Sequence, residues 1–167
     1  LRADLEIDGQ IAKSQGTVSA GFGSIRFDDL KARVDIATLD LRDAFGAPMS
    51  GIVNLTADNL RVTYDGLCRH GAVTLRTDTF RRSAIQYGGE GFELSGAGEC
   101  RDDLLLLPLN GSGPEGEAEV MIRVSRNGYQ SELAFIPADE QLAMALTTFG
   151  FVQNGSRYSL TQRGDVF

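Results

Sequence analysis

Apolar residues recur at every second position in this chain, in short bursts parted by turns rich in glycine, asparagine and aspartate. Successive side chains leave a strand on opposite faces, so a period of two marks a half-buried β-strand. Residues 3–12 open the series. Leu5, Ile7 and Ile11 fall on one face and Asp4, Glu6 and Asp8 on the other, with Gly9 as a bend or bulge. A second strand is expected at 16–22, broken by Gly21-Phe22-Gly23-Ser24, with Ile25 and Phe27 after it. Residues 31–41 slip at Ala37-Thr38, which fits a bulge or two short pieces. Residues 40–51 read as turn chemistry, with one helical turn at 43–45. Residues 52–64 alternate, pause at Asp58-Asn59, resume at Leu60, and end in an Asp65-Gly66 hairpin turn.

The second half continues the pattern. Strands are expected at 72–77 and, glycine-rich, at 91–100, with a less regular crossing at 81–89. Four consecutive leucines, Leu104 to Leu107, suggest a strand buried on both faces or lining a groove. Strands at 117–125 and 129–136 flank an Arg126-Asn127-Gly128 turn. The period then changes. Pro137 to Glu140 open a helix, Leu142, Leu146 and Phe149 recur at helical spacing, and Gly150 stops it. A last strand is expected at 157–162, entered from Asn154-Gly155. The expected fold is all-β: an antiparallel meander of about ten or more short strands, curved into a gutter or partly closed, with one short helix near the C-terminus. One such helix cannot cover so many strands, so the sheet must fold on itself, close, or stay open as a gutter.

The 167 residues show no linker and no shift in composition, and one domain spanning 1–167 is expected. The net charge is −7, whereas a phosphate-binding surface shows a basic excess, so nucleic acid is not an expected partner. Apart from Arg81-Arg82 the basic residues are scattered, which leaves no polybasic membrane patch. No apolar run reaches the length needed to span a bilayer. The chain begins at Leu1 inside a strand pattern, so a processed protein or a fragment is expected.

Cys68 and Cys100 are the only cysteines, and each lies at the outer end of an expected strand. They lack CxxC spacing and a second Cys/His pair, so neither a thioredoxin-like motif nor a zinc site is indicated. A disulfide is the preferred reading and two buried free thiols the alternative. Closing a loop of about thirty residues would stabilise the fold by roughly 3–4 kcal/mol.

Catalytic signals are weak, and no catalytic, cofactor-binding or metal-ligating residue is assigned. His70 is the only histidine, two residues from Cys68, and a Cys/His dyad would also need an orienting group. The carboxylates Asp102, Asp103, Glu115, Glu117, Glu119, Asp139 and Glu140 sit in turns or on polar strand faces, where solubility explains them. The glycine groups at 21–24, 88–92 and 111–116 lack the helix and lysine of a nucleotide loop, and no calcium loop occurs. Three Asn-x-Ser/Thr tripeptides, at Asn54, Asn110 and Asn154, are accounted for by turn chemistry and chance. No cofactor is expected.

Distributed features of the second two-thirds carry a family resemblance. They are FGAPMSGIVNLTADNLRV at 45–62, CRHGAVTL at 68–75, LSGAGEC at 94–100, and the tail at 116–166. That tail runs strand, Asn-Gly-Tyr hairpin, strand ending in proline, amphipathic helix, and a tyrosine-containing strand closing on Gly164. In these features the chain resembles protein N of the bacterial type II secretion system, the general secretion pathway. Residues 1–44 match only as generic strands. The membrane anchor usual in that family is not within these residues, which fits a trimmed periplasmic domain. The resemblance implies a periplasmic accessory part of the secretion apparatus, anchored in the inner membrane at full length. It implies no enzymatic role, and partners that are other secretion components. A lipid- or hydrophobic-ligand-binding β-gutter of the cell envelope is the competing reading, and a secreted hydrolase a third.

Overall fold

The computed structural model describes residues 2–9, 12–39 and 47–164. Eleven strands form one sheet in which nearly every strand pairs antiparallel with its sequence neighbour. The first five are β1 (Arg2–Asp8), β2 (Ala12–Gly21), β3 (Ser24–Asp35), β4 (Ile52–Thr63) and β5 (Cys68–Thr77). Then follow α1 (Thr79–Gln86), β6 (Leu94–Arg101), β7 (Leu104–Gly113), β8 (Gly116–Ser125) and β9 (Gly128–Pro137). Last come α2 (Glu140–Thr148), β10 (Val152–Asn154) and β11 (Arg157–Gly164). The order departs from a plain meander once: β11 pairs with β9, and the three-residue β10 lies outside it as an edge. The expected all-β antiparallel meander is therefore present, as one open sheet with two helices.

Several boundaries correct the sequence reading. Residues 3–12 do not make one strand: β1 ends at Asp8, and the Gly9 N–H donates to the Ala12 carbonyl at 3.0 Å to start a hairpin. Ile11, the helical turn at 43–45 and Leu41 lie outside the described residues. Ile25, Phe27 and Val34 belong to one long strand, β3, which ends before a short 3-10 turn at Ile36–Leu39. The pause at Asp58-Asn59 is a register shift inside β4, and Asn59 has a positive φ of 50°. Asp29 in β3 likewise has φ 50°, a conformation that Asn and Asp tolerate best after glycine. The Arg26 side chain joins these two irregularities, donating to Asp28 Oδ1 at 2.8 Å and to Asn59 Oδ1.

The crossing at 81–89 contains a helix, α1, so the single expected helix is one of two. Its signal is faint, because Phe80 and Ala84 share a side while Arg81-Arg82 break the apolar pattern. Asp78 precedes the helix, but its carboxylate turns back to β4: Oδ1 accepts the Ile52 N–H at 2.6 Å and Oδ2 accepts from Arg82 Nε at 2.8 Å. The second helix follows its sequence signals closely. Asp139 Oδ1 accepts the Leu142 N–H at 2.8 Å, Leu142 and Leu146 face the core, and Gly150 ends the segment with φ 83°.

Residues paired across an antiparallel ladder share a face. One row therefore runs Ile7–Ser14–Ala32–Leu55–Leu75–Gly96 across β1 to β6. It resumes as Leu109–Val120–Leu133–Leu160 across β7, β8, β9 and β11. We call this face inner. The β6–β7 ladder is interrupted between Ser95↔Asn110 and Glu99↔Leu106, where Pro108 has no N–H to donate. A Cβ on Gly98 would lie 2.9 Å from Leu107 Cα, and one on Gly96 would lie 3.0 Å from Leu109 Cα. Strand β7 thus leans over the inner face of β6 and the sheet turns sharply there; only glycine leaves room for that approach.

Inside this turn lies the core. Phe92, Leu94, Leu107, Leu109, Ala118 and Phe135 are buried, with Phe80 of α1 and Leu142 and Leu146 of α2 packed against them. The rings of Phe80 and Phe92 lie 4.9 Å apart and those of Phe80 and Phe135 5.7 Å apart, within the range of favourable aromatic pairs. Of the four leucines expected to form a strand buried on both faces or to line a groove, only Leu107 is buried; Leu104, Leu105 and Leu106 are partly exposed.

Candidate functional site

Chemistry was expected least around Cys68, His70 and the carboxylates, and their placement is as follows. Cys68 and Cys100 are joined, with Cα atoms 5.3 Å apart, tying the start of β5 to the end of β6. That bond occupies the sulfur a Cys/His dyad would need. His70 sits exposed on β5, opposite Arg61.

The carboxylates are dispersed, and four of the seven, Asp103, Glu115, Glu119 and Asp139, are engaged in ion pairs or hydrogen bonds. Asp103 pairs with Arg69 at 2.6 Å, and Glu119 with Arg157 at 2.7 Å. Glu115 Oε1 accepts the N–H groups of Glu90 at 2.6 Å and Gly91 at 3.0 Å, fastening the segment before β6 to the β7–β8 turn. The Gly91 N–H is the main reason its carboxyl is held below the usual range; burial works against this and the Glu90 N–H adds to it. At Asp78 burial opposes ionisation, but the Ile52 N–H and Arg82 outweigh it and the carboxyl is again lowered. Among the described residues no group of three or more His, Cys, Asp and Glu could hold a metal ion.

The surface that remains is apolar and lies on the first strands. No residue of β1, β2 or β3 is buried, although Leu5, Ile7, Phe27, Leu30, Ala32 and Val34 would be core residues in most sheets. On the opposite face of the same strands lies a hollow of about 440 Å³, walled by the rows Glu6–Gln15–Lys31–Thr56 and Asp8–Lys13–Arg33–Asn54 with Ile7, Ser14, Ala32 and Leu55 between them. The helices pack elsewhere: α2 lies against β9 and β11, and Phe80 of α1 meets Phe92 and Phe135. The walls of the hollow are charged, with Glu6 and Asp8 on β1 and Lys31 and Arg33 on β3. A second hollow, of about 620 Å³, lies among Leu104, Arg123, Tyr129 and Arg163, where Arg123 pairs with Glu132 at 3.7 Å.

The apolar face ends at β1, a strand edge left unpaired among the described residues. Strand β1 bonds to β2 along one side only, and six of its seven residues are exposed. Sequence reasoning found the alternation of β1 but could not tell that its apolar face would stay uncovered. Among the described residues, no helix is long and apolar enough to cross a membrane.

No curated protein and no solved structure matches this chain. Among protein families, type II secretion system (T2SS), protein N, matches residues 1–161. The match takes in the first 44 residues, which the sequence reading could place only as generic strands, and runs through β1 to most of β11. With nearly all of its length inside one family, this chain belongs to the type II secretion system protein N family and is a component of that secretion machinery.

Proposed function

We propose that this protein is a non-enzymatic, periplasmic accessory component of the secretion apparatus, held at the inner membrane in the full-length protein and acting by contact with other secretion components. The observation that carries the reading is the less covered half of the sheet: an apolar face on which no residue of β1 to β3 is buried, running to an edge unpaired among the described residues. Apolar faces of this kind mark contact surfaces, and free edges accept strands from partners. The dispersal of carboxylates into ion pairs and caps gives the same reading further support. A disulfide between Cys68 and Cys100 suits an oxidising compartment.

The test is crosslinking of the full-length anchored protein in cells, with photoreactive groups on the inner face of β2 and β3. Recovery of secretion components crosslinked there is the expected result. Crosslinks only to lipid, or to nothing, would overturn the reading. A lipid-binding gutter is the second reading, favoured by the same apolar face of β1 to β3. Native mass spectrometry of the purified protein should then show retained lipid, and a lipid-free spectrum would sink that alternative.

A further inference from the structure

The two edges of the sheet differ in kind. Strand β10 has three residues, too few to template a stable ladder. Strand β1 has seven, with no proline or glycine, and what guards its edge is charge: Arg2, Asp4, Glu6 and Asp8. The Gly9–Ala12 hydrogen bond fixes which main-chain groups are free. Hydrogen-bonded and non-bonded pairs alternate in an antiparallel ladder. The bonded pairs on the β2 side are then Ile7↔Ser14, Leu5↔Gly16 and Ala3↔Val18. The N–H and C=O groups of Asp4, Glu6 and Asp8 therefore point away from the sheet.

The side chains of those same three residues line the outer face of the edge. Asp8 is paired with Lys13 at 2.9 Å and Asp4 accepts from Thr17 at 3.3 Å, while Glu6 has no partner among the described residues. On the inner face Leu5 and Ile7 stand at the margin of the apolar face, and Ile7 is 50% exposed. A second copy suits this edge poorly. A two-fold pairing of β1 with β1 about Leu5 would set Asp4 against Glu6 twice, one about Glu6 would set Glu6 against itself and Asp4 against Asp8 twice, and one about Asp4 would set Asp4 against itself while Arg2 met Glu6; like charges directly opposite are destabilising. A strand that alternates basic and apolar residues meets both rows: cations against Asp4 and Glu6, apolar side chains extending the cover over Ile7.

We infer that β1 is the docking edge of this protein, and that its partner is a basic–apolar alternating strand which adds to the sheet beside β1. This deepens the proposed function and rests on it in one respect: the natural owner of that strand is a secretion component.

The probe is a capped heptapeptide alternating lysine and valine, titrated into the 167-residue protein. It should bind saturably and slow amide hydrogen exchange at Asp4, Glu6 and Asp8. The same peptide N-methylated at alternate residues keeps its charge but cannot form a ladder, and should bind at least about tenfold more weakly. A peptide alternating glutamate and valine should not bind. The double variant Asp4→Lys/Glu6→Lys should prefer the acidic peptide.

Equal binding of the N-methylated peptide would overturn the inference, as charge attraction alone would then suffice. So would protection appearing elsewhere than β1, or concentration-dependent protection of β1 without peptide, which would assign the edge to a second copy. The two levels separate in cells. Should the anchored Asp4→Lys/Glu6→Lys protein still crosslink to the secretion components that wild type recovers, the docking edge falls and the proposed function stands. Failure of wild type to recover any, with peptide binding intact, would overturn the function but not the edge.

Discussion

The two halves of this sheet share one pattern and meet different fates. Strands β6 to β11 and β1 to β4 both alternate apolar and polar residues across continuous inner rows. In the first group Leu107, Leu109, Ala118 and Phe135 are at most 4% exposed. In the second only Ala57 of β4 is buried outright, and Ile7 is half exposed. The difference comes from three things outside the strands: two helices, and the sharp turn where β7 leans over Gly96 and Gly98. Apolar alternation makes a face, but a face becomes core only when something covers it. The covered half holds most of the buried core, and the proposed contact face lies in the other.

The largest expected effect lies in the covered half. Phe92→Ala removes a ring packed between Phe80 and Phe135 and should cost about 3–5 kcal/mol of unfolding free energy in urea melts. A loss below about 1 kcal/mol would mean that the halves are less different than burial indicates.

The disulfide comes next. Replacing both cysteines by serine opens a link across 32 residues and should cost roughly 3–4 kcal/mol. Labelling the denatured, unreduced protein should find no free thiol; labelling of both cysteines would refute the bond.

Gly98→Val tests the turn between the halves. Its side chain would meet the backbone of Leu106 and Leu107, and a loss of about 1–3 kcal/mol is expected. A neutral result would show that β6 and β7 can separate freely.

Acid should act mainly on the helix end. Glu115 and Asp78 have lowered folded values, so their contribution is full above the ordinary carboxylate range and is lost as pH falls through the folded values. Stability should therefore fall as pH drops below the ordinary values of 4.5 for Glu115 and 3.8 for Asp78. Glu115→Gln should flatten that fall in melts recorded across acidic pH, and an unchanged profile would remove Glu115 from the account.

Ile7→Ala should have the smallest effect, under about 1 kcal/mol, because its side chain is 50% exposed already. A larger loss in the isolated protein would mean that β1 is covered in solution and would erase the contrast between the halves.

Much of the fold was legible because strands and turns write themselves locally. Alternation marked β4, β8 and β9, Asn127-Gly128 marked the hairpin between the last two, and Asp139 with Leu142 and Leu146 marked α2. Helix α1 was not legible. Its cover depends on one ring, Phe80, which gains its meaning only from Phe92 and Phe135, far along the chain. Strand β10 is three residues long and pairs with nothing before it in sequence, so its local pattern carries no signal. The first strand was legible as a strand but not as an edge.

The sequence by itself determined the meander, because side-chain period and turn chemistry act over a few residues. It also determined the family, through glycine, cysteine and apolar positions spread along the chain. Tertiary structure alone decided which apolar rows are core and which are surface. Burial depends on what lies across from a face: the apolar residues of the helices pack on the core around Phe92 and Phe135, and of β1 to β5 only Leu75 packs against that core. The site follows from that choice. It lies where the covering elements stop, and no stretch of residues along β1 to β3 announces where that is.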